Sequence, residues 1–237
     1  MPVLFTTLSS NTERLIQRII ANFCNIPLHH IYTGMLSAED WSKLDKELAY
    51  MPQNLILHNS PIFGYTTLEQ GIRASAETHG VKIVFIDGIH LIDMGGISNK
   101  SLEEDMMVLL RNLKRLAIEL KIPIVTTIPM RKIAVTEWSK LPASCTEGIV
   151  CHDAICSVSD VVMVVQRSEL FHIYTDEYGN DLRGVAKIHF VKNNLGGHSE
   201  ITMQFVGDFA KMKSMDAMPH NGFDFSKIQQ EHNPFQL

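Results

Sequence analysis

Val81-Lys82-Ile83-Val84-Phe85-Ile86-Asp87 is the stretch from which the rest of the chain is read. It is apolar at nearly every position and ends in an acid. That is the pattern of a strand buried on both faces of a parallel sheet. Outward from it, strand-like and helix-like runs alternate. Upstream, Thr67 to His79 has helical spacing closed by Gly80 in the C′ position. Leu55–His58 is a short strand. Ser37, followed by two acids, opens a helix to about Ala49. Asn11 or Thr12 caps a helix through Phe23, with Leu15, Ile16, Ile19, Ile20 and Phe23 on one face. Pro27 stops that helix and leaves His29-His30 in a turn, and Val3–Leu8 reads as a strand. Downstream, Gly95-Gly96 marks a loop and Leu102 to Leu120 is a long amphipathic helix followed by Pro123. Ile124–Ile128 is a second buried strand, 129–148 a loop, 150–157 a short helix and Val161–Gln166 a strand.

Beyond residue 166 the helices stop. Phe171–Tyr174, Ala186–Val191 and Glu200–Phe205 read as strands joined by turns at Tyr178-Gly179-Asn180 and Leu195-Gly196-Gly197. The fold class is α/β: a mixed, mostly parallel sheet flanked by helices, with antiparallel strands at the C-terminal edge. Residues 1–214 form one domain, and residues 215–237, rich in Met, His, Asn and Gln, a polar tail. In such sheets the chemistry lies at the carboxyl ends of the strands, here Ser9–Asn11, Asp87–His90, Ile128–Arg131 and Lys192–Asn194.

Composition narrows the function classes. The 237 residues suit one large domain, and 45% hydrophobic with 20% charged residues is too apolar for a disordered chain. A net charge of −5 gives no global attraction for nucleic acid, so any such contact needs a local basic loop. No run approaches the ~20 apolar residues of a membrane span. MPVLFTTLSSNTER has no basic leader. The expectation is a cytoplasmic protein with no membrane partner, its cysteines (Cys24, Cys145, Cys151, Cys156) reduced thiols. Cys145, Cys151, His152 and Cys156 lack the close Cys pairing of zinc sites and read as structural. His29, His30, His58, His79 and His90 read as solvated or capping, and no nucleophile elbow surrounds Ser9 or Ser10. Met212, Met215 and Met218 are either an adaptable contact surface or part of a mobile tail.

Taken in order, the segments resemble the C-terminal, RecA-like ATPase domain of DnaB-type replicative DNA helicases, from about residue 3 to residue 210. HHIYTGMLSAEDWSKL resembles the family's I-x-T-G-x-L-x-x-x-D-W-x-x-L segment, and IVFIDGIHLI its Walker B strand. LLRNLKRLAIELKIPIVTT resembles the helix and strand that follow; SDVVMVVQR and GVAKIHFVKNNLGG resemble the last strands. The resemblance implies roles. Asp87 matches the Walker B aspartate, which would hold magnesium through water if nucleotide binds; an acid capping the next turn is the competing reading. Lys192 matches a lysine that reaches the neighbouring subunit's γ-phosphate. Arg131, Lys132 and Lys140 remain in the loop that faces DNA, although a solvated loop carries as many charges.

The departures are as specific. No G-x-x-x-x-G-K-[ST] occurs in the chain. The family carries that phosphate loop just upstream of the segment matching Val3, so its first strand and phosphate loop are expected to be absent. Gly95-Gly96-Ile97-Ser98-Asn99-Lys100-Ser101 is a decoy that follows the wrong strand. Ser9 stands in place of the catalytic glutamate, Pro129 in place of the sensor glutamine and Asn194 in place of the arginine finger. A serine is no general base without its own activator, proline has no side-chain polar group, and asparagine has no charge. The expectation is a degenerate relative that neither hydrolyses ATP efficiently nor unwinds DNA alone, serving as an interaction module in DNA replication or recombination. No cofactor is expected, ATP and magnesium following from the resemblance alone. Its partners would be a helicase or recombinase ring, DNA weakly, or a second copy. A fragment of an active ATP-dependent helicase and a non-catalytic DNA-binding module are the alternatives. The sheet should be exposed where the family's first strand belongs, covered by the Met-rich tail, or completed by another chain.

Overall fold

The computed structural model describes residues 1–58, 64–93, 101–131, 148–197 and 200–215. Four parallel strands form the first sheet: β1 (Val3–Thr7), β2 (Leu55–His58), β3 (Ile83–Asp87) and β4 (Ile124–Thr126), in the order β2-β1-β3-β4. The register sets Phe5 beside Phe85, Thr7 beside Asp87 and Ile86 beside Thr126. The connecting helices are α1 (Thr12–Cys24), α2 (Leu28–Thr33), α3 (Ala38–Glu47), α4 (Tyr65–His79) and α5 (Leu102–Leu120). A short α6 (His152–Val158) leads into a second, antiparallel sheet of β5 (Val161–Gln166), β6 (Val185–Asn193), β7 (Glu200–Val206) and β8 (Lys211–Ser214), paired in that order. Among the described residues no helix is long and apolar enough to cross a membrane.

The helix boundaries follow from capping chemistry. Ser101 and Glu104 make a reciprocal capping box at the start of α5, and three acids fill its first turn. Lys121 closes it in the left-handed region ahead of Pro123. Ser37 and Asp40 do the same for α3, where Asp40 also accepts from His30 Nδ1 at 2.8 Å. The Ser37 backbone N–H and hydroxyl, with His30, hold the Asp40 carboxyl below its ordinary pKa. Glu103 on α5 caps the next helix in trans: its carboxylate accepts from the Ala154 N–H at 2.6 Å, one of the orphan donors of α6.

The main core lies between the strands and α4, α5 and α6. Leu4, Val84 and Ile86 of the first sheet share it with Leu109, Leu113 and Leu116 of α5, Ile155 of α6, and Val162 and Val164 of β5. The two sheets therefore rest on the same helices, although among the described residues no strand pairing joins them. A smaller cluster of Cys24, Ile26 and Leu44 ties α1 to α3.

The structure differs from the sequence reading in four places. Phe171–Tyr174 is not a strand: Ser168–Phe171 is a 3-10 turn, and only an isolated bridge, Thr175 to Asp181, follows. Polar bracing overrides β propensity there, since Glu169 takes both the Arg167 guanidinium and the Gly184 N–H. His29 and His30 lie within a helix, α2, which starts directly after Pro27. The apolar face of α1 is only partly covered, and its buried residues are Ala21 and Cys24. Strand β8 was not foreseen, because Lys211-Met212-Lys213-Ser214 carries charge where a strand usually carries apolar residues. The decoy glycines 95–96, Cys145 and the tail beyond 215 lie outside the described residues.

Candidate active site at the carboxyl ends of the strands

Parallel register brings the ends of β1, β3 and β4 together, and four hydroxyl residues meet there around one carboxylate. Thr127 Oγ1 donates to Asp87 Oδ1 at 2.7 Å. The Ser9 hydroxyl donates to Oδ2, and Thr7 Oγ1 lies 3.4 Å from the same oxygen. Thr7 Oγ1 also lies 2.9 Å from the Ser10 hydroxyl, where either oxygen can donate, and 3.2 Å from the Ser10 carbonyl. Hydrogen bonds to an ionised acceptor are the stronger kind, so Asp87 is firmly held.

The backbone after β3 is built around the same carboxylate. Gly88 has φ +90°, a conformation in which a side chain is strained, and a Cβ there would lie 3.2 Å from the Ser9 Cβ. The Gly88 N–H donates to Thr127 Oγ1 at 2.9 Å, and the Ile89 N–H to the Thr127 carbonyl at 3.1 Å. The Leu8 N–H donates to the Asp87 carbonyl at 2.9 Å. Thr127 thus clamps the turn through its backbone and side chain together. Sequence reading singled out Asp87 and Ser9, held Ser10 within the strand-end segment Ser9–Asn11, and missed Thr7 and Thr127. The available signal was the repeated Thr-Thr at the ends of β1 and β4.

The other candidate residues do not join this cluster. The Lys192 ammonium donates to the Cys156 carbonyl at 2.7 Å, filling an orphan acceptor at the C-terminal end of α6. Asn194 is exposed, and its N–H donates to the Asp160 carbonyl at 2.9 Å. Pro129 is exposed just past β4. Arg131 is exposed and its N–H meets the Gly148 carbonyl at 2.8 Å; Lys132 and Lys140 lie outside the described residues. Cys156 Sγ lies 3.4 Å from His152 Nε2. Burial pushes the thiols of Cys151 and Cys156 up, so both stay protonated at neutral pH. Among the described residues no group of three His, Cys, Asp or Glu could hold a metal ion. An isolated Asp87 fits magnesium only through water and with oxygen ligands from a bound nucleotide.

Comparison with known proteins gives concordant results. The family model for DnaB-like helicase C terminal domains matches residues 1–214. The replicative DNA helicase DnaB of Buchnera aphidicola subsp. Baizongia pistaciae is 26% identical over 217 residues, covering 89% of this chain and 44% of the relative. That of Geobacillus stearothermophilus is 21% identical over 217 residues, with 89% and 45% covered. The chain thus spans less than half the length of these curated relatives. A solved ATPase domain superposes with a TM-score of 0.77 at 16% identity, over 91% of this chain and 75% of that one. A DnaB-like replicative helicase studied for its interactions with primase gives 0.78 at 16% identity, over 91% and 51%.

Proposed function

The chain belongs to the family of DnaB-like helicase C-terminal domains, and from that premise we propose that it is a degenerate relative of the helicase ATPase domain. On this reading it serves DNA replication or recombination as an interaction module and neither hydrolyses ATP efficiently nor unwinds DNA alone. The observation that carries the reading is the state of Asp87. Hydroxyl donors from the chain itself engage both of its oxygens, and one of them is Ser9, where the resemblance calls for a glutamate. A water molecule attacking a phosphate needs a base that can accept its proton. Ser9 already gives its proton to Asp87, Pro129 has no side-chain polar group, and Asn194 brings no charge. Three replaced positions, each from a different strand end, support loss of turnover better than any one of them. The partner on this reading is a helicase or recombinase ring.

The test is ATP turnover by the full chain with and without single-stranded DNA. Turnover at the buffer background is expected; robust DNA-stimulated hydrolysis overturns the reading. One observation favours a second reading, that of a portion of an active ATP-dependent helicase: the relatives extend over more than twice the matched length. That reading predicts an in-frame phosphate-loop codon run in the genomic DNA upstream of Met1.

A further inference from the structure

α6 carries a pairing that the spacing of its cysteines does not show. Residues one turn apart share a helix face, so His152 and Cys156 stand together, with Cys156 Sγ 3.4 Å from His152 Nε2. Cys151 is turned another way, buried with its thiol directed to the Leu102 carbonyl at 3.7 Å. The His152 side chain is 38% exposed and Cys156 is half-buried, so the described residues leave the pair open to water.

The imidazole is set for coordination. His152 Nδ1 lies 3.1 Å from Asp153 Oδ1, and an ionised carboxylate only accepts, so Nδ1 carries the proton. Nε2 keeps its lone pair, beside the thiol. A carboxylate on the far ring nitrogen is the outer partner that metal-ligating histidines keep. The spacing also decides the class of ion. At bond lengths of about 2.3 Å to sulfur and ~2.0–2.1 Å to nitrogen, groups 3.4 Å apart subtend roughly 100° at a shared cation. That is close to the tetrahedral angle that zinc takes, whereas a linear two-coordinate ion would need the pair about 4.3 Å apart. The charges agree with a cation. The Lys192 ammonium, bonded to the Cys156 carbonyl at 2.7 Å, favours the thiolate. Thiolate and Asp153 carboxylate together still outweigh that one positive charge.

We propose that His152 and Cys156 chelate one tetrahedral, thiophilic divalent cation of the zinc class, with Asp153 as the outer partner of the imidazole. On binding, the Cys156 S–H bond breaks, the sulfur bonds the metal, and the proton leaves to water. Without the ion the same two groups make an S–H to Nε2 hydrogen bond. The described residues supply two ligands, in keeping with the lack of any group of three among them, and water fills the other positions. The ion clips one turn of α6, the helix whose C-terminal carbonyl Lys192 fills. The site is separate from the Asp87 cluster and stands whether or not the chain turns over ATP.

The probe is cobalt(II) alone, added to the full 237-residue chain with its thiols reduced and then displaced by zinc. One ion per chain is expected, with the visible bands of a tetrahedral site and a charge-transfer band of single-thiolate intensity. Because one thiol proton is released, affinity should rise about tenfold per pH unit while the thiol is protonated. Cys156→Ser keeps a hydrogen bond to the imidazole and should abolish the band. His152→Ala, at a partly exposed site, should weaken binding by about tenfold or more, and Asp153→Ala by ~10-fold. Cys145→Ser and Cys151→Ser should leave the band unchanged. Urea midpoints of the variants in metal-free buffer, expected to match the unmodified chain, separate loss of the site from loss of the fold. Four results overturn the site: no charge-transfer band, a band that survives Cys156→Ser, unchanged affinity in His152→Ala, or a band of two-thiolate intensity. In the last case, loss of the second thiolate in Cys145→Ser assigns it to that residue, and dependence on protein concentration assigns it to a second copy.

Discussion

Thr127→Val separates a structural Asp87 from a working one. The substitution keeps the branched shape and removes one hydroxyl that both accepts from Gly88 N–H at 2.9 Å and donates to Asp87 Oδ1 at 2.7 Å. Gly88 is buried, so its N–H loses its acceptor; a dry unsatisfied donor costs ~1–3 kcal/mol, and because Thr127 is exposed to water the low end, about 1 kcal/mol, applies. The charge-assisted bond to Asp87 adds ~0.5–1 kcal/mol after water competes for the carboxylate. The total, about 1.5–2 kcal/mol, moves a urea midpoint by ~0.5–0.7 M at a slope of ~3 kcal/mol/M. Asp87→Asn should destabilise as well, and the double variant should show ~0.5–1 kcal/mol of coupling, because the two side chains touch. An Asp87 kept for metal and nucleotide behaves in the opposite way. Removing its charge would be neutral or stabilising, and magnesium with ATP would raise the midpoint of the unmodified chain. A midpoint shift below about 0.2 M for Thr127→Val, or additivity with Asp87→Asn, refutes the clamp.

Gly88→Ala forces a side chain to φ +90° and against the Ser9 Cβ at 3.2 Å, and should cost ~1–3 kcal/mol by thermal or urea unfolding. Leu113, 4% exposed at the centre of the main core, should cost ~2–5 kcal/mol on truncation to alanine. Asp40 sets an acid limit. Its folded pKa lies below the ordinary 3.8, so the stability it contributes is present above 3.8 and lost as pH falls through the folded value. Unfolding of Asp40→Asn between pH 5 and pH 2, roughly the span over which such a carboxyl titrates, should show a flatter acid limb than the unmodified chain. DNA titration at two salt concentrations should give weak binding that falls with salt if Arg131, Lys132 and Lys140 contact phosphate, and no salt-dependent binding removes that contact.

What the sequence disclosed, and what it withheld, divides along the range of the forces involved. The ends of α5 are legible because Ser101, Glu104 and Pro123 act within a few residues of where they stand. β5 is legible from its own apolar run. β8 is not, since its pairing with β7 and not its composition makes it a strand. Phe171–Tyr174 fails for the converse reason: an aromatic stretch with one β-branched residue follows a turn that Glu169 braces by reaching Gly184, fifteen positions away. The site divides the same way. Asp87 at the end of a buried run and Ser9 two residues past β1 can be found in one dimension. Thr127 cannot, because its role exists only once the register sets Ile86 beside Thr126 and so carries the next residue to the carboxylate. That register also sets the surroundings of the carboxylate. Thr7 flanks Asp87 from β1 and Thr127 from the end of β4, so hydroxyls close on the carboxylate from both neighbouring strands. Oδ1 accepts from Thr127 and Oδ2 from Ser9, and a glutamate at position 9 would release Oδ2 only by setting two carboxylates against each other.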